Sequence, residues 1–448
     1  MKLLTISSSS KALFCTLLLA PAVGLAGEIV LQKAPPLTIR QAPEFPENLA
    51  RYHFGAAVSA APEGSSLAQL QLSSNGQDQN TSAAALLCDD PTTGYHLPAG
   101  QSTVLVSLPN IENIQSVAFL NEGTQGDVSI AYSNANVPEN SPEWHRLEKT
   151  PMSPGAITAK IGASEAKYVK LTFNVTQPGR IAAFGVYAAP ALSDFTMPRP
   201  RKVTFEESST SFALINFNFS DVHAKARGLY VSSGDANRVN YMLDDQPATA
   251  YQFAHDDAAP TAVIDLGSER NLSRLSAVYS AQPGNVEFYV LRNLPTGETV
   301  EQSGVQPIAN VSQGSGLPSS LKISEEAFAG LKPVGSVVST GEGRASVNFP
   351  PVTGRYVMLK WHPATVHGEA FSIAQVAAFG PAQRNTAVGE ADRAIDGKEA
   401  FDGKSILDNK DIPAEGPEEA QAPAEGPPPA LPQVPAFTFI PQVPPTSP

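Results

Sequence analysis

The sequence predicts an all-β protein: two tandem antiparallel β-sandwiches followed by a disordered, proline-rich tail. Three observations carry this expectation. The chain repeats itself, its apolar segments are short and strand-like, and its composition changes abruptly near the C-terminus. The repeat comes first, because self-similarity organises everything else. One copy runs LLCDDPTTGYHL, STVLVSLPNIENIQSVAFL, GDVSIAYS, KYVKLTF, IAAFGVYA; the other runs YMLDDQPATAYQF, PTAVIDLGSERNLSRLSAVY, GNVEFYVL, RYVMLKW, IAQVAAFG. Asn113 and Asn271, Val117 and Leu275, and Gly126 and Gly284 keep one spacing, whereas Tyr168 and Tyr356 are 30 residues further apart, so the second copy carries an insertion between about residues 292 and 341. Its SQGSGLPSS run reads as loop.

Within each copy the segments VLVSL, SVAFL, VSIAY, YVKLTF, AVIDL, VEFYVL and YVMLKW are rich in β-branched and aromatic residues and bounded by Gly, Pro, Asn or Asp, the pattern of strands. Helical crossovers, which a parallel sheet requires, are not indicated. Each copy has a lead-in, LARYHFGAAVSAA from Leu49 and FALINFNFSDVHAKARGLYVSS from Phe212, read as first strands. The divisions are a signal peptide over 1–26, an N-terminal lead over 27–48, a first sandwich over 49–190, a linker over 191–211, a second sandwich over 212–381, and a tail over 382–448.

The ends fit export. Lys2 and Lys11 precede an apolar run from Ala12, and Gly24 and Ala26 offer a cleavage point, as in a secretory signal peptide. The run is interrupted at Pro21 and is too short for a spanning helix of about 20 residues. Phe14 stands where a lipid-anchor signal at Cys15 needs a small residue. Secretion, or residence in the periplasm or cell envelope, is the expected location. Without the signal Cys88 is the one thiol left, so each core must hold without a disulfide. In the tail, 12 of the last 36 residues are proline, a composition that favours extended solvated chain. The apolar VPAFTFIPQVP from Val434 is the one segment there able to add as a strand to a partner. With 30 basic against 43 acidic residues the formal charge is −13, which disfavours a nucleic-acid partner.

The second copy resembles the discoidin (F5/8 type C, galactose-binding-like) family of jelly-roll sandwiches, whose signature runs Asp-Gly-Asn-x-x-Thr-x-Trp, then a strand ending Asp-Leu-Gly, then a closing Tyr-Gly or Phe-Gly. Asp244, Thr249 and Tyr251 hold the Asp, Thr and aromatic positions, Asp265, Leu266 and Gly267 the second element, and Phe379 and Gly380 the close. Asp245 and Gln246 depart from the family's Gly and Asn, and Gln375 and Ala182 stand where many members have Glu. The first copy is degenerate, with Ser107, Leu108 and Pro109 replacing Asp-Leu-Gly. The resemblance implies a binding module that takes sugars, lipid headgroups or proteins through loops at one end, often beside a structural calcium. It implies Asp244, Asp245 and Thr249 as candidate calcium ligands, with Asp89, Asp90 and Thr93 as the second set, since a hard cation wants clustered oxygens. The alternative is an aspartate capping its own turn without metal. The expected calcium dependence is weak or absent.

Catalytic signatures are missing. No histidine stands in a metal spacing and no nucleophile elbow or P-loop occurs. The adjacent carboxylates Asp89-Asp90, Asp244-Asp245 and Asp256-Asp257 make poor catalytic couples, because sequence neighbours on a strand face opposite ways. Tyr95, Tyr251 and Trp361 are expected in the core, whereas His96, Phe253, His255 and Asp256 are the expected ligand rim. The function expected is a non-enzymatic binding protein for carbohydrate or a cell-surface partner; the alternative is a structural envelope protein working through protein contacts, its tail docking a partner.

Overall fold

The computed structural model describes residues 28–62, 68–69, 83–138, 140–196, 199, 217–295, 317–365 and 369–381. The expected signal peptide, the tail, His367, most of the linker and the SQGSG part of the insertion lie outside these described residues.

The strands are β1 (Ile29–Lys33), β2 (Ala57–Pro62), β3 (Ala68–Gln69), β4 (Gly94–Leu97), β5 (Gly100–Glu122), β6 (Gln125–Ser133), β7 (His145–Arg146), β8 (Thr150–Pro151), β9 (Gly155–Gln177) and β10 (Gly179–Ala188). After helix α1 (Leu192–Thr196) come β11 (Arg227–Val231), β12 (Tyr251–Gln252), β13 (Thr261–Tyr279), β14 (Pro283–Leu291) and β15 (Ser320–Ile323). Helix α2 (Glu325–Gly330), β16 (Gly335–Thr340), β17 (Arg344–Pro363) and β18 (Ser372–Phe379) complete the described chain.

Each half closes by the same device, a pair of long strands that crease and serve both layers. The N-terminal part of β5 lies between β2 and the C-terminal part of β9, and beyond a register break after Ser107 its remainder pairs with β10. In the second half β13 lies between β11 and β17, then breaks register after Asp265 and continues beside β18. A strand that bends from one layer into the other makes the corner of a sandwich. The crease falls at Ser107-Leu108-Pro109 in one half and at Asp265-Leu266-Gly267 in the other, so the two elements aligned in the sequence occupy one structural position. All pairings between named strands are antiparallel, and the expected all-β, two-sandwich class is the one observed.

Alternation fills two separate cores. Val104, Val106, Val128, Leu171 and Phe173 pack in the first half; Ile264, Phe288, Val357, Leu359 and Trp361 pack in the second. Tyr251 and Trp361 are buried as expected, and Tyr95 is half-buried against the first core. Removing roughly 1.5–3 kcal/mol of exposed apolar surface per large side chain is what holds such halves without a disulfide.

The order of the chain is not purely tandem. Residues 27–48, read as a lead outside both sandwiches, give their described part to the second sandwich: β1 inserts between β11 and β15, and Leu31 is fully buried. Ala34 and Phe45 join the second core before the chain enters the first sandwich near Asn48. The insertion supplies β15, the strand that receives β1, and Phe328 of α2 covers the outer face of the same sheet with Tyr230, Val263, Tyr289 and Met358. A β-branched and Leu alternation in residues 29–33 was the available signal, but a five-residue strand names no partner by itself.

Candidate functional site

The two sandwiches meet across a polar junction built from corresponding segments. In the first half, Asn48 begins a short stretch leading to a 3₁₀ turn at Tyr52–Phe54; in the second, Asn218 begins the stretch leading to the turn at Val222–Ala224. The asparagines play one role twice. The Asn48 Oδ1 accepts from the backbone N–H groups of Ala50 and Val186, each at 3.1 Å, and the Asn218 Oδ1 accepts from those of Ser220 and Ala378, each at 3.0 Å. Both side chains thus pin the entry of a sandwich to its closing strand. Five residues on, His53 and His223 correspond, and each turn ends in a left-handed residue, Gly55 at φ 94° and Lys225 at φ 72°. The recurrence of Asn and His at this spacing is legible in NLARYH and NFSDVH, and the lead-in reading passed over it.

The aspartate turns plug into the opposite sandwich. Asp245, itself in the left-handed region at φ 56°, accepts from Arg51 Nε at 2.7 Å, Asn48 Nδ2 at 2.9 Å and Gln375 Nε2 at 2.7 Å. A further Arg51 nitrogen completes a two-pronged pair, and the Tyr187 hydroxyl donates to the Asp245 carbonyl at 2.7 Å. Burial works against the charge on Arg51, yet Asp245 and Asp89 hold its pKa above the ordinary value. In the reverse direction Asp90 of the first half accepts from Arg274 Nε at 2.7 Å and from Ser276 Oγ at 2.9 Å. Buried charges of this kind are tolerable only when fully partnered.

This geometry reassigns the candidate calcium ligands. Asp245 directs both carboxylate oxygens at the Arg51 guanidinium. Asp244 closes its own turn instead, accepting from the Gln246 N–H at 3.1 Å and the Thr249 hydroxyl at 2.8 Å, while burial pushes its pKa well above the usual carboxylate range. Asp89 faces His53 at 3.1 Å and the Asn218 N–H at 3.1 Å, and Thr93 donates to the Asp90 carbonyl at 2.7 Å. Among the described residues no three His, Cys, Asp or Glu side chains gather in a form suited to a metal ion.

The expected rim divides. Phe253 is 2 % exposed and packs edge-on against Tyr251, so its assignment to the rim is corrected to the core; the alternation Tyr251, Gln252, Phe253 puts both rings inward. His255 and Asp256 are exposed on the loop after β12, beside Asp257, which accepts from the Ser232 hydroxyl at 2.5 Å. His96 is exposed on β4 in register with Arg180, on the other sandwich from His255.

Between the halves the junction leaves a crevice walled by Glu47, His53, Phe54 and Asp89 from one side and Asp221 and His223 from the other, with Arg199 at its edge. The Asp221 carboxylate meets His223 Nδ1 at 3.1 Å, and His223 Nε2 lies 3.1 Å from the Phe45 carbonyl. Burial opposes both charges, but the mutual contact lowers the Asp221 pKa and raises that of His223. Burial likewise opposes ionisation of Asp89, and His53 and Arg51 outweigh it to leave its pKa lowered. Arg199 pairs with Glu47 and with Glu112, and Phe54 and Phe217 flank the His53 ring. The arrangement is a narrow concave array of paired donors and acceptors with an aromatic wall. The nearby Cys88 thiol is buried, which pushes its pKa up to about 12 and keeps it from acting as a nucleophile.

No family model matches the sequence, and no curated protein matches it. Solved structures similar to the chain include a fucolectin from striped bass serum, at 12% identity over 76% of this chain and 99% of that one, with a TM-score of 0.24. Allantoicase from Saccharomyces cerevisiae is similar at 12% identity over 78% of this chain and 99% of that one, with a TM-score of 0.25. A Ruminococcus gnavus GH29 fucosidase in complex with fucose is similar at 17% identity over 33% of this chain, with a TM-score of 0.26. The chain spans 27% of the length of that fucosidase.

Proposed function

We propose that the protein is an exported, non-catalytic carbohydrate-binding protein, a divergent relative of the discoidin family, whose ligand sits where the end loops of the two sandwiches meet. The observation that carries this reading is the crevice itself, because both halves contribute convergent hydrogen-bonding groups and Phe54 offers a ring to the apolar face of a sugar. A binding role also suits the chemistry of the walls. Both His223 nitrogens are engaged, and Asp245 and Asp90 are committed to arginines across the junction, so these groups position the halves rather than attack a substrate. No described helix is long and apolar enough to cross a membrane. The proposal includes no calcium requirement, given the guanidinium at Asp245.

A glycan array probed with the full chain tests the reading. Binding to defined glycans, weakened by Phe54→Ala at unchanged melting temperature, is the expected result. His255→Ala reports separately on the exposed loop. Absence of binding to every glycan, with a stable protein complex recovered from envelope extracts, would replace carbohydrate recognition by a structural role.

A further inference from the structure

On the far side of the Asp89-Asp90 turn from the crevice, three arginines from both sandwiches converge on two carboxylates. Arg180 of β10 and Arg344 of β17 both donate to Glu122 Oε2, and Arg274 of β13 pairs with Asp90 at 2.7 Å. Arg180 also donates to the Thr92 carbonyl, and an Arg274 nitrogen lies 3.5 Å from the Thr92 hydroxyl, so these two reach one turn and Arg344 joins Arg180 at Glu122. The cluster has three guanidiniums against two acids in a chain whose formal charge is −13. The room for it is built in. A Cβ at Gly94 would lie 2.6 Å from Arg180 Nε, so the bare glycine lets this side chain lie across β4. His96, two residues along the same strand and in register with Arg180, is exposed beside it.

Arg344 keeps 36% of its side chain exposed and gives one nitrogen to Glu122. Its planar fork carries more donors than that contact uses, and such forks recognise anionic oxygens two at a time. Burial lowers the Arg180 pKa, Glu122 opposes that shift, and the nearby charge of Arg344 adds to it.

We propose that Arg180, Arg274 and Arg344 form an anion-recognition surface at the seam of the sandwiches, and that the ligand is an acidic glycan bearing carboxylate or sulfate groups. This rests on the carbohydrate-binding reading above and adds a second contact, outside the crevice, that names the class of sugar. An anion docks on Arg344 without breaking the Glu122 bridge, and the seam offers it only when both halves are in place.

Titration of the full chain with oligogalacturonate and its methyl ester, and with dextran sulfate and dextran, tests this. The acidic member of at least one pair binds more tightly than its neutral partner by about tenfold, the worth of one charge-assisted contact. The preferred pair tells carboxylate from sulfate. Arg344→Gln lowers the acidic affinity by about the same factor. Glu122→Gln, which removes the competing carboxylate, raises it, and a variant with raised affinity is necessarily folded. Lys322→Glu, a charge change on exposed β15, leaves it unchanged. Equal binding of acidic and neutral members overturns the acidic class while carbohydrate binding stands. A loss at Lys322→Glu as large as at Arg344→Gln overturns the localised site in favour of net charge. Binding of neutral glycans alone also overturns it, and binding of no glycan overturns both readings.

Discussion

The two sandwiches share a strand order and differ in what lies on their outer faces. In the second half that face is apolar, and β1, β15 and α2 cover Tyr230, Val263, Tyr289 and Met358. In the first half Thr103, Ser107, Ser129 and Thr172 occupy the outer face half-exposed, and Trp144 covers Lys170 with the ammonium 4.5 Å from the ring centroid. The crease differs in the same way. Asp265 forms a two-pronged pair with Arg355 at 2.7 and 2.8 Å, and Ser107 stands at the corresponding crease of the first half. What recurs in both is the junction: an asparagine pinning the closing strand, a histidine five residues later, and an aspartate turn inserted into the opposite sandwich. Surface and crease thus differ between the copies, whereas the asparagine, the histidine and the inserted aspartate recur; the arginines that receive the two aspartates, Arg51 and Arg274, stand at non-corresponding positions.

That comparison is most sharply broken at Arg51. Arg51→Ala leaves Asp245 buried without its cation and costs about 3–5 kcal/mol in urea unfolding, more than Asp221→Ala at the corresponding position. Adding Asp245→Asn to Arg51→Ala restores part of the loss; equal stability of the single and double variants would show that the pair is not what holds the junction. Next in size, Leu31→Ala destabilises by about 2–5 kcal/mol, the range for truncating a buried leucine. Amide exchange then quickens in residues 320–330 ahead of the first sandwich; uniform quickening would deny that β1 belongs energetically to the second half. Asn48→Ala and Asn218→Ala each orphan buried N–H groups and cost about 1–3 kcal/mol, and clearly unequal losses would break the correspondence of the two asparagines.

Acidity gives the smallest effect. Asp89 and Asp221 have lowered pKa values, so their contribution is present above the unfolded carboxylate value near pH ~4 and is lost as pH falls through the folded values. The pKa of His223 is raised, so its contribution is complete below the unfolded histidine value near ~6.5 and is lost as pH rises through the folded one. The contributions of these three groups are jointly complete only between these limits, the raised pKa of Asp244 working against stability as pH rises above the unfolded carboxylate value, and His223→Gln flattens the alkaline side of a plot of urea midpoint against pH. An unchanged alkaline side would remove His223 from the junction's energetics.

Much of the architecture was readable because it is periodic. Alternation along β5, β9, β13 and β17 marks the strands, and the spacing between copies aligns Ser107-Leu108-Pro109 with Asp265-Leu266-Gly267, although only the pairing registers show that the strands crease there. The site was less readable. His96, His255 and Asp256 do lie exposed, but Phe253 lies inward because pleat parity, not residue type, decides its direction. The aspartate turns were visible as turns; their partners, 184 to 197 residues away along the chain, were not.

The amino-acid sequence by itself determined the local states: which segments extend, that the domain is doubled, and where the aspartate-rich turns fall. Those follow from period, turn chemistry and repetition, all of which act within a few residues. Only the tertiary structure decided that β1 completes a sheet more than 180 residues distant, and that Asp245 and Asp90 face guanidiniums across the junction. The physical reason is that burial and charge pairing depend on what lies across a gap in space, and chain order does not encode that distance.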